Sequence, residues 1–230
     1  MEGTVYTLRS GRMSFIEVFS AGGLVMWPLL LFSLCVIAIT IERGLFWFRI
    51  KKRERQVVKD ILQVYRVNPA AVFDRLKQNI NLPISRIFLE ALELEGASPN
   101  QFRLALESAT QAELPLLKRF NTVFETVVAV APLLGLLGTI LGLIRSFASL
   151  NLEGLNGAST GLVTGGISEA LVSTAAGMIV AIFTLLFANL FRGFYRCQVA
   201  LLQEYGGQLE ILYEWYYQTL NEEVAYAGNR

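Results

Sequence analysis

Three long apolar runs alternate with polar stretches along the chain, and their lengths predict three membrane spans. They occupy 23–42, 122–147 and 165–191. An apolar helix of about 20 residues crosses a hydrocarbon core roughly 30 Å thick, and each run is long enough to do so. Between the first and second spans, 43–121 takes on the periodicity of amphipathic helices and carries its own boundary signals. Asn68-Pro69 sets a cap residue before a proline at the first helical position. Ser98-Pro99 repeats that device, with Gln101 placed to complete a capping box. Gly96 is a natural stop for the helix before it. These signals predict helices over 53–66, 69–79, 84–95 and 99–121, the last running on into the second span with a bend near Pro115. Beyond the third span Leu201, Tyr205, Leu209, Leu212 and Tyr216 recur at helical spacing, so 192–230 reads as a continuation of that helix. Gly206-Gly207 weakens it locally, and the polar end 221–230 frays. Residues 1–22 read as an external tail with a short amphipathic helix around Phe15–Phe19, and 148–164 as the loop joining the last two spans. The expected fold is all-α: three transmembrane helices with long helical extensions on one side of the bilayer.

Composition agrees, with 53% hydrophobic residues and a mean hydropathy of +0.47, too apolar for an ordinary soluble domain. A net charge of +1 points to no nucleic-acid partner. The placement of charge says more. Arg43, Arg49, Lys51, Lys52, Arg53, Arg55 and Lys59 crowd into the segment after the first span, while 148–164 holds no basic residue. The positive-inside rule therefore makes 43–121 and the C-terminus cytoplasmic, and the N-terminus and the 148–164 loop periplasmic. Trp27 and Trp47 stand near the two ends of the first span as interfacial anchors, and Glu42 and Arg43 close it as neighbours at the headgroup level. Cys35 and Cys197 fall at different depths and are not expected to pair. The chain has no histidine, no Cys-rich metal spacing and no nucleophile-plus-base constellation, so neither an enzyme nor a cofactor is expected. The 43–121 segment carries too little independent core to read as an enzyme domain, and its expected role is assembly.

The last two spans carry Thr139 and Thr174, each set among small residues. If these spans run antiparallel, Thr139 lies eight residues inside Phe147 and Thr174 eight residues inside Gly166, both about 12 Å deep at the helical rise. Ala170, Thr174, Gly177, Ala181, Thr184 and Ala188 fall on one narrow stripe of the third span. Gly135, Thr139, Gly142 and Ser146, with Pro132, make a matching stripe on the second. Small stripes either pack helix backbones closely in lipid or line a narrow pore. A threonine in such a helix bonds back to its own helix carbonyl or presents its hydroxyl to a pathway.

Charged groups follow the same depth logic. Arg145 and Glu169 lie just inside the outer ends of their spans, so an ion pair between them is expected; Glu169 is otherwise free for a direct ion-pathway role. Glu125 and Asn189 match in the same way at the cytoplasmic end.

Three stretches carry a family resemblance: G-G-L-V-M-W-P-L-L-L at 22–31 with I-E-R at 41–43, A-P-L-L-G-L-L-G-T-I-L-G at 131–142, and G-I-S-E-A-L-V-S-T-A-A-G at 166–177. Together they resemble the ExbB/TolQ family of proton-channel subunits, distantly similar to the flagellar stator protein MotA, over nearly the whole chain. The resemblance implies a homopentamer around a central pore in the bacterial inner membrane, enclosing the single spans of an ExbD/TolR-type partner. It implies that the proton-carrying aspartate belongs to that partner, with Thr139 and Thr174 forming a hydroxyl ring beside it. Glu169, Pro132 and Asn189 also fall on family positions. Proton motive force would then drive work passed on to a TonB/TolA-type periplasm-spanning protein. A structural scaffold, a passive channel and a sodium-driven stator relative remain as alternatives on the residues alone.

Overall fold

The computed structural model describes residues 19, 22–94, 96–153 and 157–227. The expected N-terminal tail, and its amphipathic helix apart from Phe19, lie outside these. Among the described residues every regular element is helical: α1 Met26–Val67, a short 3-10 turn Pro69–Ala71, α2 Val72–Gln78, α3 Pro83–Leu92, α4 Pro99–Leu117, α5 Asn121–Glu153 and α6 Gly157–Ala227. Three helices are long and apolar enough to cross a membrane, with 18-residue stretches of mean hydropathy 2.0, 2.5 and 2.3. The first span and the expected helix 53–66 are one continuous α1. The 148–164 stretch expected as a loop is helical up to Glu153 and again from Gly157, with 154–156 outside the described residues.

The chain divides into two compact units, 1–38 with 122–187, and 39–121 with 188–230. In the first, the start of α1 packs with α5 and the first half of α6. Its buried apolar groups are few and mostly on one face of each helix, among them Leu29, Phe124, Val127, Ala131 and Ala170. Leu133, Leu136, Ile140, Ile144 and Phe147 of α5 remain exposed, as do Leu171, Ile179, Ile182 and Phe183 of α6. An apolar exterior around a core of small residues is the inverse of a soluble bundle, and it suits helices solvated by lipid tails.

The second unit has a fuller core than its sequence predicts. Phe88, Ile84 and Ile87 of α3, Phe102 of α4 and Leu76 of α2 are almost wholly buried. The core closes because the extensions of the two long helices supply Val58, Ile61 and Tyr65 from α1 and Leu202, Tyr205 and Leu209 from α6. Those residues lie far from 69–121 in sequence, so that segment read alone lacks half its core. Both expected caps are present. Asn68 accepts from the Ala70 amide at 3.1 Å. Ser98 and Gln101 form the complete capping box, and Gly96 adopts φ 68° after α3. Arg86 grips Glu113 with two bonds of 2.6 and 2.7 Å, and Phe102 stacks on Tyr213 at 3.9 Å between ring centroids. Gly206, read as a weak point, instead sits buried in an unbroken helix with Leu106 of α4 against it.

The expected passage of α4 into the second span does not occur. Pro115 lies inside α4, the helix ends at Leu117, and the chain turns at Phe120 with φ 69° before α5 begins. Arg43 packs against this helix end. Buried within this unit, it donates from Nη1 and Nη2 to the Leu116 carbonyl at 3.5 Å, which also accepts from the Arg119 amide at 3.4 Å. Its guanidinium also lies over the rings of Phe46 and Phe120, 5.1 and 5.2 Å from their centroids. The expected Glu42 contact is present at 3.6 Å.

Glu54 of α1, almost fully buried in the second unit, accepts from Gln198 Nε2 of α6 at 2.6 Å. Burial pushes its carboxyl up to about 7, against a smaller opposing effect of that hydrogen bond. With the folded value above the ordinary 4.5, the folded chain holds the proton more tightly than the unfolded one. The resulting stability is fully present below about pH 4.5 and is lost as pH rises through about 7. Thermal unfolding in detergent should therefore show the midpoint falling between pH 5 and 8, by the equivalent of about 3 kcal/mol at most. Glu54→Gln should flatten that slope; an unchanged slope would assign it to other groups.

Candidate functional site: the seam between the last two spans

In α5 and α6 the small residues set the register. A Cβ on Gly135 would stand 3.1 Å from the Cα of Thr174, and one on Gly177 would stand 3.1 Å from the Cα of Gly135. At the other end of the seam, a Cβ on Gly142 would lie 3.0 Å from the Cβ of Ala170 and 2.6 Å from the Gly166 carbonyl oxygen. The two helices are thus antiparallel and nearly in backbone contact, a separation only glycine permits where main chain faces main chain. Ala131, Ser146, Ala170, Ala181 and Thr184 are buried along the same faces. The stripes identified in the sequence face each other within one chain. Pro132 is carried inside α5 without ending it.

Hydroxyls within this seam fall into two groups. Ser146 donates to the Gly142 carbonyl at 3.1 Å and Thr184 to the Val180 carbonyl at 2.6 Å, each within its own helix. Thr139 does the same, donating to the Leu136 carbonyl at 2.6 Å. Thr174 crosses the seam and donates to the Gly135 carbonyl at 3.1 Å. Gly135 and Leu136 are successive residues, so both threonine hydroxyls converge on one turn of α5, at the common depth expected from the sequence. Each hydroxyl has committed its only proton to a carbonyl and keeps lone pairs that accept. Thr139 and Thr174 are half-buried, at the edge of the seam rather than its middle.

At the end of the seam formed by the C-terminal part of α5, Arg145 Nη1 donates to Glu169 Oε1 at 2.6 Å, joining α5 to α6 by the expected ion pair. The carboxylate is mostly buried, at 17% exposure, while the arginine is 57% exposed. Mutual neutralisation lowers the cost of holding either charge near lipid. Gly23 completes this corner. It has φ 68°, and a Cβ there would collide with the Glu169 carboxylate. The start of α1 can approach the ion pair only because residue 23 has no side chain. Glu125 on α5 and Asn189 on α6 are both exposed and belong to different units.

Sequence reasoning passed over Ser173, Gly138, Gly166 and Gly23. Ser173 is fully buried and donates to the Ala170 carbonyl at 2.9 Å, with the Gly135 carbonyl 3.5 Å away. Its side chain occupies the space a Cβ on Gly138 would need. The available signal was the repeat of small residues at 166, 170, 173 and 177, which alternates steps of four and three and describes a helix-packing seam.

Among the described residues no cluster of His, Cys, Asp or Glu could hold a metal ion. What the site offers is a close-packed helix pair with accepting hydroxyls at one depth and an ion pair at its mouth. That defines an all-helical membrane protein of the channel or transport type. The chain belongs to the MotA/TolQ/ExbB proton channel family, whose model matches residues 79–204. It is 59% identical over 210 residues to the ExbB-like 3 protein of Synechocystis sp., covering 91% of this chain and all of that one. The ExbB-like 1 protein of the same organism is 42% identical over 212 residues, 87% of this chain and 80% of the relative. Biopolymer transport protein ExbB of Neisseria meningitidis is 28% identical over 177 residues, 70% and 77% of the two chains.

Proposed function

We infer that this chain is the channel subunit of a proton-driven energy-transducing complex in a bacterial inner membrane, working with an ExbD/TolR-type single-span partner. The observation that carries this reading is the convergence of Thr139 and Thr174 on one turn of α5 with their protons already committed. A group meeting such a level finds acceptors only. It therefore favours a protonated carboxyl, which donates, over an ionised one, which would face oxygen lone pairs. A partner aspartate carried into the membrane would be held neutral at this depth and would release its proton on leaving it.

In this reading five copies surround the partner, with the edges of their seams turned to a central pore. The small residues Gly135, Gly142, Ser146, Ala170, Gly177, Ala181 and Thr184 act as close packing that keeps the threonine level rigid. Arg145 holds Glu169 at the outer mouth, so Glu169 shapes the field of the ion pathway rather than carrying the proton itself. The partner passes the work on to a periplasm-spanning protein of the TonB/TolA type. Orientation follows the charge asymmetry of the loops, with the C-terminus cytoplasmic.

Native mass spectrometry of the detergent-purified chain, alone and co-expressed with a single-span partner bearing a membrane aspartate, tests the assembly. A pentamer that takes up the partner is the expected result. A monomer or dimer that ignores it would remove the pore and leave the seam as packing alone.

A further inference from the structure

Within the second unit, a cleft of about 480 Å³ lies between α1 and the turn joining α2 to α3. Its lining has two chemistries. Phe46 and Phe48 form an apolar wall, and Arg49, Lys52 and Arg53 follow on the same helix, with Asn79 and Asn81 opposite. Among the described residues no acidic one lines it. Two other surface arginines of this unit have carboxylate neighbours, Arg75 with Asp60 and Arg103 with Glu210. Arg49, Lys52 and Arg53 form no ion pair among the described residues. Three cations share one concave surface without an anion, and their repulsion is relieved only by one from outside.

Depth indicates the source of that anion. The exposed apolar surface of α1 continues past Arg43 through Leu45 and Phe48, and Arg49, Lys52 and Arg53 follow Phe48 within about 8 Å at the helical rise. The headgroup layer beyond the hydrocarbon is roughly 5–7 Å thick on each side. Side chains on a helix lean toward its N-terminus, which here is toward the bilayer. Phe48, 69% exposed, extends the apolar wall of the cleft toward the acyl region. We propose that this cleft binds the phosphate of an anionic phospholipid headgroup, with Arg49, Lys52 and Arg53 on the phosphate and an acyl chain along Phe46 and Phe48. Free phosphate shares the ionic chemistry but has no use for the apolar wall.

Native mass spectrometry of the detergent-purified chain can count retained lipid, using phosphatidylglycerol, phosphatidylcholine or inorganic phosphate as the added probe. Phosphatidylglycerol should be retained at least about tenfold better than phosphatidylcholine, since each basic group near an anionic headgroup contributes a factor of about five. Arg49→Gln, Lys52→Gln and Arg53→Gln combined should remove that preference. Arg55→Gln, Lys59→Gln and Arg66→Gln combined, an equal change of charge outside the cleft, should preserve it. Equal loss in the two triple variants, or no preference in the unaltered chain, would overturn the proposal. Displacement of phosphatidylglycerol by an equal concentration of inorganic phosphate would overturn the lipid assignment.

Discussion

Thr174→Val is expected to slow proton-coupled transport about tenfold or more while leaving the chain folded and assembled. Valine matches the shape of threonine and removes only the hydroxyl. The accepting lone pairs are then lost from the level where a partner carboxyl would be held. One hydrogen bond of that kind is worth roughly 1–1.5 kcal/mol, about a factor of ten in rate. The structural loss is smaller. The Gly135 carbonyl loses the Thr174 bond but keeps its place in the helical ladder, and interhelical hydrogen bonds in membranes average about 0.6 kcal/mol. Proton uptake by proteoliposomes containing the chain and its partner reads the first effect, and the unfolding midpoint reads the second. Thr174→Ser, which keeps a hydroxyl, should retain most of the activity. Uptake at the unaltered rate in the valine variant would make Thr174 a packing residue and favour the scaffold reading.

Gly177→Leu should have the largest effect on stability. The first added carbon would stand 3.1 Å from the backbone nitrogen-side neighbour, the Cα of Gly135, and closer still to the Ala131 carbonyl oxygen. Both obstacles are main chain of a helix and cannot rotate away as a side chain could. The seam has to open, and with it the alignment of Thr174 on Gly135. Overpacking of this kind costs roughly 3 kcal/mol or more, which lowers the midpoint of a chain this size by about 10 °C. Gly193→Leu is the matched control, because a Cβ there meets nothing within 4 Å. Equal midpoints for the two variants would show that the α5–α6 contact does not limit stability.

The seam illustrates how far local pattern carries. Residue spacing alone placed the small stripes and the common depth of Thr139 and Thr174, because helical rise and turn are constants of the backbone. It left open what each stripe faces. The structure turns the two stripes toward each other, so Gly135 and Gly177 are closed by main chain, while the threonines stand at the rim. Glu169 shows the same division. Its depth relative to Arg145 was legible, but its third neighbour, Gly23, is 146 positions earlier in the chain, and only the packing of α1 brings it there.

By itself the sequence determined the elements: three spans, the caps at Asn68 and Ser98, the crowding of basic residues after the first span, and the family motifs. Each is written in neighbouring residues, through apolar length, hydrogen-bonding side chains beside backbone amides, or charge. Tertiary structure alone decided the rest. It ended α4 at Leu117, where Phe120 takes φ 69° and Arg43 reaches the Leu116 carbonyl. It built the core of the second unit from helices more than 100 residues apart, such as Glu54 and Gln198, 144 positions from each other. It also gathered Arg49, Lys52 and Arg53 with Asn79 and Asn81 around one cleft. Such contacts depend on which faces meet across the fold, and no periodicity within a single helix encodes its partner.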